Sequence, residues 1–269
     1  MRVFRYWVRC SDELVVGGEK QVSTVYGGSN ISVEDAIKEA RNRLEKVQAK
    51  ILYGRVLKNK DYEVDIREEI VQEIDFQNII TRNRYGALVL NSENRMFIDI
   101  DQNKRFMGFW DWLLRNNLPR KELLQQKIIK KLSSKKYRAT NARVYETNNG
   151  FRVVLLKETD SPRNKKMVRI MKDLFVDPTY LFLCVRQNCY RARLTPKPHR
   201  IKQGRIQIRF PERTEEEERD IQSWLDEYEL KSSGYATCRL VYAQNKLVSD
   251  KVIMVHDEIT KASSNYLLR

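Results

Sequence analysis

The chain has 269 residues, 41% of them hydrophobic, enough apolar side chain to bury a core in one large domain or two small ones, so disorder is excluded as the default state. Its 51 Lys and Arg outnumber 36 Asp and Glu, and the formal net charge of +15 points to polyanionic partners, because each phosphate neutralised releases counterions without sequence readout. No apolar run is long enough to span a bilayer, Arg2, Arg5 and Arg9 interrupt any signal-peptide core, and Cys10, Cys184, Cys189 and Cys238 are too scattered for a zinc ribbon or a disulfide framework. These features predict a cytoplasmic protein with buried thiols, no membrane partner, and a nucleic acid, a nucleotide or an acidic protein as its partner.

Residues 2–10 and 20–26 read as two strands joined by a turn at Gly17-Gly18. Ser32 then caps a helix with Glu34 and Asp35 in its first turn, and Val33, Ala36, Ile37, Ala40, Leu44, Val47 and Ile51 recur at helical spacing. A short helix is predicted over 66–74. Strands follow at Asn78–Thr81 and Ala87–Leu90 around the turn Arg82–Gly86, and a third at Met96–Asp101, together a β-meander ending in acid. Residues 109–116 and 120–132 read as helices, the second with Leu124, Ile128, Ile129 and Leu132 on its inner side.

Arg143–Leu156 reads as a hairpin, with Asn148-Asn149-Gly150 supplying positive φ angles at its turn. Ser161-Pro162 is predicted to start a helix as N-cap and first residue, with Met167, Ile170, Met171 and Leu174 facing inward, and Asp177-Pro178 repeats that signal for a helix through Val185. A strand at Tyr190–Leu194 stops at Thr195-Pro196. Arg205–Phe210 alternates as a strand, and Thr214 with Glu217 forms a capping box for a helix carrying Ile221, Trp224, Leu225 and Tyr228 on one stripe. Strands at Ala236–Tyr242 and Lys251–His256 close the chain. This irregular alternation predicts an α+β fold, a mixed or antiparallel sheet flanked by helices, rather than a doubly wound one. Residues 1–269 form one unit, the alternative being a division near residue 160 into an acidic-doublet lobe, 1–160, and a basic lobe, 161–269.

The sharpest chemical feature is Asp99-Ile100-Asp101 at the end of an apolar strand. Residues i and i+2 share a strand face, so the two carboxylates stand side by side, an arrangement that a divalent cation, Mg or Mn, relieves. Its plainer reading is a strand running into a solvated acidic turn. A second feature is Thr147-Asn148-Asn149-Gly150-Phe151-Arg152, where backbone amides and a guanidinium at a strand entrance suit a phosphate, or simply form a hairpin turn. Arg82, Arg84 and Tyr85 in one turn, and Arg191, Arg193, Lys197 and Arg200 along one strand and its exit, mix cations with aromatics as single-strand binders do, or protect an edge strand by charge. His256 and Asp257, as neighbours on a strand, point to opposite faces and form no direct dyad. No Walker loop, dinucleotide glycine fingerprint or Ser or Cys nucleophile signature is present.

Across residues 78–156 the acidic doublet and the Thr147–Arg152 hairpin resemble the archaeo-eukaryotic primase superfamily, which includes the primase-polymerases. That resemblance implies an RRM-like core, metal binding by Asp99 and Asp101, phosphate contacts from the second motif, and metal-assisted nucleotidyl transfer, with a nuclease on the same carboxylates as the enzymatic alternative and a non-catalytic basic binding module as the other. Arg152 stands where that family has a histidine. For the third acidic motif, Asp257 after Val252–His256 matches by order and hydrophobic lead-in, and Asp177 is the rival that reads better as a helix cap. Thr81–Gly86, Cys189–Pro198 and His256–Thr260 also resemble segments of bacterial proteins, which implies a bacterial or phage setting.

Overall fold

Two long strands, β1 (Tyr6–Val16) and β2 (Glu19–Ser29), make a hairpin whose turn residues Gly17 and Gly18 have φ of 62° and 89°, left-handed values that glycine adopts without a Cβ clash. The computed structural model of the protein describes residues 1–53, 65–102, 119–208, 210–245 and 249–269. Helix α1 (Val33–Tyr53) lies on β2: a Cβ at Gly27 would overlap the backbone at Ala36 and Ala40, so small residues on both elements set their approach. The same helix buries Ala36, Ala40 and Leu44 and leaves Val33, Val47 and Ile51 exposed, a narrower inner face than the sequence periodicity suggests.

Eight further strands form an α+β core of two four-stranded antiparallel sheets. One has the order β3 (Glu69–Asp75), β4 (Asn78–Arg82), β5 (Leu88–Ser92), β9 (Tyr190–Arg193). The other has the order β11 (Cys238–Ala243), β7 (Ala142–Thr147), β8 (Gly150–Leu155), β6 (Met96–Asp101). Helix α2 (Arg120–Leu132) buries Leu124, Ile128 and Leu132, and α3 (Lys165–Asp173) buries Met167 and Met171, both in the core that holds Phe97, Ile98, Val144 and Val153. Helices α4 (Pro178–Gln187), α5 (Glu215–Ser232) and α6 (Lys251–Thr260) and a short parallel pair, β10 (Tyr235–Ala236) with β12 (Leu267–Leu268), complete the described elements. No helix among the described residues is long and apolar enough to cross a membrane.

In chain order β6, α2, β7 and β8 make a split β-α-β unit, with β8 paired antiparallel to both β6 and β7. An RRM-like core would place its last strand beside the first. Here β11 instead pairs with β7, so β6 is left as an edge of its sheet. Because β9 pairs with β5 and β11 with β7, segments from before and after residue 160 share each sheet.

Several local expectations give way. Residues 69–75 form strand β3 rather than a helix: the Glu-rich sequence favours helix locally, but pairing with β4 overrides that preference. The expected meander is split, since β6 joins the other sheet. Residues 251–256 are helical rather than extended, with Val252, Ile253, His256 and Thr260 buried at helical spacing and the Asp250 side chain accepting from Val252 N and Ile253 N. Ser161-Pro162 forms a turn, and the N-cap of α3 is Asn164, which accepts from Lys166 N. The described residues of 205–210 are irregular rather than a strand, and the helix expected at 109–116 lies outside the described residues. None of Asn148, Asn149 and Gly150 has a positive φ. Gly150 is needed for closeness instead, since a Cβ there would overlap the backbone of Ile100 on β6.

Candidate functional site

The edge strands β6 and β9 lie side by side without joining into one ladder. Side chains bridge the seam. The Tyr180 hydroxyl donates to Phe97 O on β6 at 2.6 Å and accepts from Arg191 N on β9 at 3.3 Å. Two residues further along both strands, Arg152, opposite Asp99 in the register of β8 and β6, donates through Nη1 to Arg193 O at 3.0 Å. Both contacts advance in the same direction, so β6 and β9 run parallel, with β6 extending two residues beyond the end of β9. Burial raises the Tyr180 pKa well above its ordinary value, as expected of a neutral hydroxyl fixed between two backbone groups. Tyr180→Phe orphans both groups and is expected to cost about 2–3 kcal/mol, read as a lower urea midpoint with an unchanged denaturant slope.

A cleft of about 200 Å³ near the ends of the two strands is lined by the carboxylates Asp99, Asp101 and Asp177 and by the cations Arg193, Lys197 and Arg200. Asp99 and Asp101 share a face of β6. Asp177 is brought in by its backbone, whose N donates to Asp99 O at 2.9 Å, while its Oδ1 accepts from Tyr180 N at 2.8 Å and caps α4. Asp101 has no hydrogen bond or ion pair among the described residues, and its pKa is raised by burial and by the charges of Asp177 and Asp99. The cations of the cleft act on it through space, Lys197 and Arg200 offsetting part of that rise. None of Arg193, Lys197 and Arg200 is in an ion pair among the described residues. Burial and the nearby Arg152 pull Arg193 down to about 10, and burial with Arg193 and Arg200 lowers Lys197. Burial likewise lowers Arg200.

Arg152 is not an open phosphate contact as the sequence suggests. It is 1% exposed, and its guanidinium donates from Nε to Asp99 Oδ1 at 2.8 Å, from Nη2 to Asp99 Oδ2 at 3.4 Å, and from Nη1 to Arg193 O and to His256 Nε2 at 3.2 Å. Burial opposes the Arg152 charge, and Asp99 overrides it, so its pKa lies above the ordinary value. A guanidinium offers no lone pair, so His256 Nε2 accepts and its Nδ1 carries the proton, donating to Asp257 Oδ1 at 2.9 Å. Burial lowers the His256 pKa and keeps the ring neutral. Asp257 in turn receives Arg143 Nη1 at 2.6 Å.

Asp257 is therefore the far end of a buried chain running through His256 and Arg152 to Asp99, and does not line the cleft. Neighbouring positions on a helix, unlike those on a strand, let His256 and Asp257 bond directly. The third carboxylate at the cleft is Asp177, whose cap function and position there coexist because one oxygen serves each. Thr147 also lines the cleft. Arg191 points with Arg193 from one face of β9 but is paired with Glu68 at 2.6 Å, outside the cleft. Arg82 donates to Gly86 O, and Arg84 lies exposed over the Tyr85 ring. Tyr180 carries no sequence signal beyond its place after a helix start.

The donor set suits a hard divalent cation. Among the described residues Asp101 has both oxygens free of partners and Asp177 retains Oδ2, and the repulsion that raises Asp101 is what such a cation relieves. No group of three or more His, Cys, Asp or Glu among the described residues forms a ready-made cage. Such a cation would share its shell with ligand oxygens and water, the usual habit of magnesium. No family model, curated protein or solved structure matches the chain, so the site is read from its own geometry.

Proposed function

We propose that this cleft binds the phosphates of a nucleotide or nucleic acid together with Mg or Mn, held by Asp101 with Asp99 and Asp177. The observation that carries the reading is the meeting, in one small cavity, of three carboxylates with three cations that are in no ion pair among the described residues, Asp101 likewise having no hydrogen bond or ion pair among them. A lone anion is repelled by the carboxylates and a lone cation by the cations, whereas a metal-phosphate unit satisfies both sets. The net charge of +15 adds long-range attraction for the same ligand. Metal-assisted nucleotidyl transfer is the reaction this donor set suits. In that reaction the cation would neutralise phosphate charge, Arg193, Lys197 and Arg200 would hold phosphate oxygens, and Arg152 would position Asp99.

Binding of a labelled single strand, followed by anisotropy across a salt series, tests the cationic wall. In a Lys197→Ala, Arg200→Ala variant the slope of log K against log salt is expected to shrink by about 1.4, near 0.7 for each phosphate no longer neutralised. An unchanged slope and affinity would move the binding surface elsewhere. Degradation of the strand with magnesium and no added nucleotide would identify a nuclease.

A further inference from the structure

A second cavity of about 610 Å³ adjoins the cleft and shares Arg193 and Lys197 with it as a common wall. Its volume falls within the usual range for small-molecule sites, about 300–1,000 Å³. The rest of its lining includes Tyr85, Pro198, His199 and Arg205, and no described Asp or Glu. The Tyr85 turn is held in place: Asn83 Oδ1 accepts from Tyr85 N at 2.9 Å and from Ala87 N at 3.2 Å, and Gly86 has a φ of 94°. The Arg84 guanidinium lies 4.7 Å from the Tyr85 ring centroid, fixing the ring further. His199 is exposed on a short 3-10 helix, Pro198–Ile201, and makes no hydrogen bond among the described residues.

We propose that this cavity receives the base and sugar of a nucleotide whose phosphates lie on the Arg193 and Lys197 wall, an inference that rests on the phosphate reading of the cleft. The geometry orders the ligand. A phosphate chain on the shared wall has the carboxylates on one side, where only a cation is welcome, so the organic end is directed to the carboxylate-free side. That side presents the exposed rings of Tyr85 and His199, surfaces on which a planar base stacks without base-specific contacts, together with further positive charge from Arg205.

Calorimetric titration with manganese present, using a nucleoside triphosphate and inorganic tripolyphosphate in parallel, tests this. The nucleotide is expected to bind at least tenfold more tightly than tripolyphosphate. A Tyr85→Ala, His199→Ala variant, altered only at exposed side chains, is expected to erase that difference while leaving tripolyphosphate binding unchanged. Equal binding of the two ligands by the wild type, or a nucleotide affinity unmoved in the variant, would overturn the base subsite alone. Failure of tripolyphosphate to bind would overturn the phosphate reading beneath it. A strand terminus carries the same chemistry, so a 5′-phosphorylated trinucleotide titrated alongside distinguishes the source by its affinity. In either case the proposal requires weaker binding on Tyr85→Ala, His199→Ala.

Discussion

Replacing Arg152 with alanine is expected to remove about 3–5 kcal/mol of stability, the cost of breaking a buried ion pair by deleting one partner. Arg152 is the largest fully buried side chain in the described structure. Its removal strips Asp99 of its bidentate partner, leaves Arg193 O and His256 Nε2 without a donor, and opens a void between the sheets. In thermal denaturation this corresponds to a fall of roughly 10 °C. Adding Asp99→Asn to Arg152→Ala is expected to recover part of that stability, because the uncompensated charge goes with it, and the double-mutant cycle measures how much. A destabilisation below about 1 kcal/mol for the single variant would show that the seam does not depend on the guanidinium. The same interactions make Asp99→Ala a poor probe of ligand binding, since it leaves a buried arginine without its carboxylate.

Asp101→Asn is the cleaner substitution, with opposite effects on folding and on binding. The Asp101 pKa is raised in the folded protein by burial and by Asp177 and Asp99, so the folded state holds the proton more tightly than the unfolded chain. Ionisation therefore costs stability, progressively as pH rises through the ordinary carboxylate value to the raised folded value, and in full above it. Below the ordinary value the carboxyl is neutral in both states and resembles the amide. The variant is thus expected to match wild type in acid and to exceed it near neutral pH, by less than about 1 kcal/mol because the side chain is largely exposed. Urea midpoints across pH measure the difference. A variant less stable than wild type near neutrality would mean that Asp101 is compensated in the folded chain. Gain of stability on removing a charged group is the expected signature of a site arranged for a ligand rather than for the fold.

Which features the sequence reveals depends on how local their causes are. The capping box of Thr214 and Glu217, the cap at Asp177, the apolar stripe of α2 and the β7–β8 hairpin are short-range, and the structure contains each of them. Strand β3 and helix α6 depart from the sequence expectation for different reasons. The first is set by pairing with β4, and the second has legible helical spacing and a legible Asp250 cap that its β-branched residues obscure. At the cleft, the doublet of Asp99 and Asp101 is visible because i and i+2 on a strand share a face. Asp177 is visible too, but its excellence as a cap conceals a second oxygen left for the cleft. The seam between β6 and β9 has no local signal, because it joins residues about 90 positions apart through Tyr180 and Arg152.

The central claim, that the carboxylates and cations at the ends of β6 and β9 form a metal-assisted phosphate site, is tested most directly by calorimetry with pyrophosphate, with and without manganese, on wild type and Asp101→Asn. Pyrophosphate is expected to bind wild type at least tenfold more tightly with manganese than without, and Asp101→Asn is expected to lose that gain while remaining folded. Pyrophosphate binding that ignores manganese, or a manganese gain that survives in Asp101→Asn, would contradict the account.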